Sequence, residues 1–300
     1  MGKQKKELTR EQLLKKVNRT RRMISIFAPS MKKGGKRCFG KEIFVETDEG
    51  RIRVLGYNLD IPEKLPLFVN MHGSGFVMGS AEMDDPMMKY FAEKMKVKIL
   101  SIDYSLAPEY PFPKALDECY AVVKYAKDRP DEFNIDPERI AVGGHSAGGN
   151  LTAAICLLED ERRQLGIKCA ILDYPPMDIY KEGSAKPCPK GAFPKMLVRM
   201  SYTFDPCYCF EKEGRNNPLI SPVYADPDAL KSFPPALVIT ASQDSLCAEG
   251  EQFKDMLVAA GADVEFKRFD AVHGFNLKRG ALAEGSWNMM IDFILKHIGE

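Results

Sequence analysis

Five residues, Gly144-His145-Ser146-Ala147-Gly148, place a hydroxyl among small neighbours where an apolar run, RIAVGG at 139–144, gives way to a helical pattern at 147–160. A serine in that context sits on a sharp strand-to-helix turn. Its backbone is strained, its oxygen projects outward, and the N-terminus of the following helix favours developing negative charge. Such a serine can attack a carbonyl carbon, provided that a base takes its proton.

The chain has four histidines. His145 is the immediate neighbour of Ser146, and on a tight turn its ring is not expected to reach back to that oxygen. His297 lies in the last helical stretch, where a cation suits the helix C-terminus. His72 follows the apolar run LFVNM and is expected to support the loop that it opens. His273, in AVHGF, falls on a loop after the run VEFKRF, with Gly274 giving the loop freedom to turn. His273 is therefore the expected base. A base of this kind needs a carboxylate to hold its tautomer. Asp244 follows ALVITAS directly, at the edge where open α/β sheets place functional groups. Asp270 is too close in sequence to His273, Glu249 starts a helix and Glu265 lies within a strand, so Asp244 is preferred over these rivals.

Acyl transfer also needs donors for an oxyanion. His72-Gly73-Ser74-Gly75-Phe76 follows a strand, and its small residues would let backbone N–H groups approach a substrate closely. The Ala147 N–H, just after the serine, is a further donor. Phe76, Met78, Met83, Met87 and Met88 come next; they either line an adaptable apolar pocket or pack as ordinary core, and the sequence leaves both open.

The elements that must position these residues are legible as patterns. LFVNM (67–71), VKILSID (97–103), RIAVGG (139–144), CAILDY (169–174), ALVITAS (236–242) and VEFKRF (264–269) are short apolar strands. Helical stretches at 84–96, 113–128, 147–160 and 247–260 separate them. Uniformly apolar strands alternating with helices predict a mostly parallel sheet covered on both faces. Before them, 8–27 reads as an amphipathic helix with a Thr9/Gln12 capping box and a solvated basic face, and 42–59 as a β-hairpin turning at Asp48-Glu49-Gly50. The stretch 175–235, rich in Pro, Cys and aromatics, breaks the rhythm and reads as an irregular lid or cap. The expected divisions are 1–65 for a cap helix and hairpin, 66–174 and 236–300 for the two parts of the core, and 175–235 for the insertion.

Four stretches together resemble the hormone-sensitive-lipase-like family of α/β-hydrolase esterases: HGSGF at 72–76, DYSLAPEYPFPKALDE at 103–118, GGHSAGGNL at 143–151, and DSL at 244–246 with HGF at 273–275. They fall in family order over residues 66–275. The resemblance implies an α/β-hydrolase fold with a helical cap formed by the N-terminal helix and part of 175–235. It implies a triad of Ser146, Asp244 and His273 and an oxyanion hole of the Ser74, Gly75 and Ala147 N–H groups, with His72 and Gly73 supporting the loop. It implies no metal or other cofactor, and hydrolysis of short- to medium-chain acyl esters by a serine carboxylesterase. Amide hydrolysis, acyl transfer and non-catalytic ligand binding are the alternatives on the same framework. Ser74, Ser105 and Ser245 depart from the family's usual glycine, arginine and proline.

Composition excludes other classes. In 300 residues, 43 Lys and Arg balance 42 Asp and Glu, for a net charge of +1. That leaves no electrostatic footprint for nucleic acid. No apolar run approaches the ~18 residues of a membrane span, and the charged N-terminal stretch does not read as a secretory signal. Eight scattered cysteines suggest free thiols in the cytoplasm rather than a disulfide framework. Cys207-x-Cys209 with Cys188 upstream lacks the histidines or CxxC spacing of a zinc site. Self-association stays open.

Overall fold

The computed structural model describes residues 8–27 and 38–299. Eight strands form one sheet in the order β1-β2-β4-β3-β5-β6-β7-β8. The strands are β1 (Lys41–Thr47), β2 (Gly50–Tyr57), β3 (Leu65–Met71), β4 (Lys98–Asp103), β5 (Ile135–His145), β6 (Ile167–Asp173), β7 (Ala236–Ala241) and β8 (Val264–Phe269). β1 and β2 form a hairpin joined antiparallel to β4, and every pairing from β4 through β8 is parallel. The hairpin therefore belongs to the same sheet as the core strands. β5 starts earlier than its apolar run, at Ile135, and a register irregularity opposite Leu65–Leu67 absorbs the extra residues.

The helices are α1 (Arg10–Phe27), α2 (Asp85–Lys94), α3 (Lys114–Asp128), α4 (Pro130–Phe133), α5 (Ala147–Arg162), α6 (Ala192–Tyr208), α7 (Cys247–Ala259) and α8 (Ala281–Ile298). Two apolar cores lie on opposite faces of the sheet. One joins Leu67, Val69, Val142 and Leu172 to α3, α5 and α7; the other joins Phe68, Ile99, Ala141 and Ile171 to α2 and α8 around Trp287. Alternate residues of the same strands thus feed both cores. This is why β3 is buried along its whole length and reads as a continuous apolar run.

α1 carries the expected capping box: Thr9 N–H donates to Gln12 Oε1 at 3.0 Å and Gln12 N–H to Thr9 Oγ1 at 3.3 Å. Its basic face is not wholly solvated. Arg21 donates to the Val77 and Ala107 carbonyls at 2.6 and 2.8 Å and pairs with Glu109, so a cation fastens α1 to the core loops. The 175–235 stretch is less irregular than its prolines suggest, because it contains the 17 residues of α6. α6 packs against α1.

Candidate active site

Ser146 lies between the last residue of β5 and the first of α5, with φ 52° and ψ −122°. That backbone is costly for an L residue and persists only where its surroundings fix it. The surroundings are tight. A Cβ on Gly144 would stand 2.5 Å from the Met71 carbonyl oxygen, and one on Gly148 would overlap that oxygen. The two glycines let the start of α5 press directly onto the end of β3. Ser146 N–H donates to the Asp173 carbonyl at 2.8 Å.

His273 stands on the loop after β8, and Gly274 follows with φ 72°. Its Nε2 lies 3.0 Å from Ser146 Oγ, and its Nδ1 lies 2.6 Å from Asp244 Oδ2. Asp244 is buried, and its other oxygen accepts the Leu246 N–H at 3.0 Å. Tyr174 meets the His273 ring edge-on at 4.8 Å, and its own hydroxyl donates to Asn276 at 2.7 Å. The rival acids are engaged elsewhere. Asp270 accepts from Ser242 and Gln243, Glu249 pairs with Lys186, and Glu265 with Lys296. His297 contacts Phe293 in α8, and burial, followed by Lys296, lowers its pKa.

The loop after β3 presents a different chemistry. Ser74, Gly75 and Phe76 have φ values of 89°, 64° and 65°. Three successive left-handed residues turn their peptide groups out of any regular ladder, and the Ser74 and Gly75 N–H groups meet no acceptor among the described residues. Ser74 thus occupies the glycine-like conformation, and its hydroxyl donates to Met83 Sδ at 3.1 Å. The backbone before it is held in place. Tyr104 stacks on His72 with ring centroids 4.2 Å apart and donates its hydroxyl to the His72 carbonyl at 2.8 Å. His72 Nδ1 lies 2.8 Å from the Gly73 carbonyl. Burial lowers the His72 pKa, which leaves a neutral ring that donates from Nδ1.

Phe76 is buried and stacks on Tyr208 at 3.8 Å, while Met87 and Met88 belong to the core around Trp287. These three side chains pack rather than line an open pocket. Phe204 of α6, which the sequence did not single out, lies over Gly75. Ser105 donates to Glu118 from both N–H and hydroxyl at 2.7 and 2.8 Å. Ser245 is buried beside Asp244. Among the described residues, no group of three or more His, Cys, Asp or Glu side chains is placed to hold a metal ion, and no helix is long and apolar enough to cross a membrane.

A family model described as the alpha/beta hydrolase fold matches residues 68–277. An arylesterase of Saccharolobus solfataricus is 31% identical over 239 residues, covering 77% of each chain. Hormone-sensitive lipase of Mus musculus is 44% identical over 96 residues, 32% of this chain and 13% of that one. Among solved structures, a hyperthermophilic esterase from the archaeon Pyrobaculum calidifontis superposes with a TM-score of 0.81 at 28% identity, covering 96% of both chains. The chain belongs to the alpha/beta hydrolase fold family, in its hormone-sensitive-lipase-like group.

Proposed function

We propose that the protein is a serine carboxylesterase in which Ser146 is the nucleophile, His273 the general base and Asp244 the group that orients it. The Ser146–His273–Asp244 chain of 3.0 and 2.6 Å is the observation that carries this reading. Ser146 Oγ attacks the ester carbonyl as its proton passes to His273 Nε2. Asp244 stays ionised and stabilises the imidazolium. The N–H groups of Ser74, Gly75 and Ala147 receive the tetrahedral oxyanion. His273 then protonates the departing alcohol, and the acyl-enzyme is hydrolysed by water activated at the same nitrogen. His72 and Gly73 hold the donor loop. α1 and the 175–235 segment with α6 act as the cap over this site. No metal or cofactor enters any step.

Short- to medium-chain acyl esters are the proposed substrates, with Phe204, which lies against the proposed Gly75 donor, as the side chain that would bound the acyl site. The cytoplasm is the proposed compartment, since all eight cysteines are free thiols. A panel of p-nitrophenyl esters and matched anilides tests the class. Esters should be turned over and anilides should not. Ser146→Ala should lose about 10⁴-fold or more in kcat while staying folded. A phosphonate adduct mapped to another serine would reject the assignment.

A further inference from the structure

His145 directly precedes the proposed nucleophile, Ser146. Its ring is fully inside the protein, with Nε2 accepting the Gly73 N–H at 3.2 Å. A Cβ on Gly73 would lie 2.6 Å from the same ring, so the glycine and the imidazole are fitted to one another. Nε2 can accept only if it is unprotonated, which places the proton on Nδ1. Nδ1 lies 3.5 Å from Asp84 Oδ1 without a hydrogen bond between them, and neither atom has a hydrogen-bond partner among the described residues. Asp84 is itself fixed, since its Oδ2 accepts from Asn70 at 2.8 Å.

We propose that His145 is a positioning residue that sets the donor loop for oxyanion stabilisation by holding the Gly73 N–H. The His72 carbonyl is taken by Tyr104, the Gly73 carbonyl by His72 and the Gly73 N–H by His145. The next two N–H groups, of Ser74 and Gly75, are then the first in the loop left to face a substrate. Without the His145 acceptor the His72–Gly73 peptide is held at its carbonyl end alone, so its tilt, and with it the aim of the Ser74 N–H one peptide further on, is less closely fixed. The role needs a neutral ring, and burial together with the nearby His273 pushes the His145 pKa down to about 3.

This inference rests on the esterase reading, and its tests can fail separately from it. The first uses the wild-type protein with ¹⁵N-labelled histidine. His145 should be neutral with its proton on Nδ1 throughout the range in which the protein is folded. An Nε2–H tautomer would overturn the proposal whether or not any ester is cleaved. The second compares His145→Leu with His145→Gln, whose side-chain oxygen restores an acceptor. His145→Leu should lower kcat by roughly 10²-fold, the cost of misplacing one oxyanion donor, with KM within about threefold. The inhibition constant of an aryl trifluoromethyl ketone, which forms the tetrahedral oxyanion, should rise in proportion. His145→Gln should recover most of both losses. Equal inactivity of the two variants, both folded, or an unchanged ketone inhibition constant, would overturn the role.

Discussion

The ring of Phe204 fills the space that a side chain on Gly75 would need. One residue of α6 therefore sits against a proposed oxyanion donor. Phe204→Leu removes part of that ring while keeping an apolar side chain. The expected outcome is a shift of the kcat/KM optimum toward longer acyl chains across p-nitrophenyl acetate to decanoate. Room for one more methylene is worth about tenfold in relative kcat/KM. A chain-length profile that keeps its shape would show that Phe204 does not bound the acyl site.

Ser74 makes a separate test of the donor loop. At φ 89° its side chain is strained, and only its N–H is needed for the oxyanion. Ser74→Gly should keep kcat within about tenfold, or ~1.4 kcal/mol in barrier, despite losing the hydroxyl's bond to Met83. Ser74→Pro deletes the donor and locks φ near −65°, so it should lose roughly 10²–10³ in kcat. Steady-state kinetics on the two variants settles the order. If Ser74→Gly proved as inactive as Ser74→Pro, the hydroxyl would have to take part.

Gly148 predicts a stability effect with an internal control. A Cβ there would overlap the Met71 carbonyl oxygen, and β3 is held between β4 and β5, so neither backbone can give way. Gly148→Ala should cost at least about 3 kcal/mol, the upper end of overpacking. Gly285 in α8 has open space at the same position, so Gly285→Ala should be neutral or gain up to about 1 kcal/mol. Denaturant melts of the two alanine variants should diverge accordingly.

A pH effect on stability follows from Asp205 in α6. Burial raises its pKa to about 7, opposed by Lys186 and Arg215 and reinforced by Glu249 and Asp178. In the unfolded chain the same group ionises near 3.8. Between those values the folded state holds the extra proton, so this group's contribution falls as pH rises from about 4 to 7. Asp205→Asn cannot ionise, and should gain on the wild type across that window, by up to a few kcal/mol at pH 8. Asp84, also raised to about 7, contributes equally to both proteins and cancels. Parallel pH-dependent melts would count against a raised pKa for this half-buried acid.

The chemistry was legible because it is written locally. The residues around Ser146 fix a turn, and Asp244 and His273 each follow a strand, so chain order and strand ends suffice to nominate them. α6 was hidden by its prolines. Pro194 falls in the first turn, where a missing N–H costs no helix bond, and Pro206 in the last. Phe204, carried by that helix, could not be placed over Gly75 without the fold. The link between His145 and Gly73 spans 72 residues of sequence and exists only because β3 and β5 are neighbours. The insertion of β4 between β2 and β3 is likewise invisible to periodicity, which reads faces and not neighbours.

Met71 and Gly144 are paired residues of adjacent strands, and the donor loop and the nucleophile leave from those two points. The proposed nucleophile and the proposed oxyanion donors thus spring from one pair of bonded strands. The base hangs instead from the loop after β8, the outermost strand of the sheet. Wear should reach the two unequally. Mild heat or a protease acting on the rim would detach the proton acceptor first, leaving a molecule that still has its serine seated in its hole and nothing to switch it on.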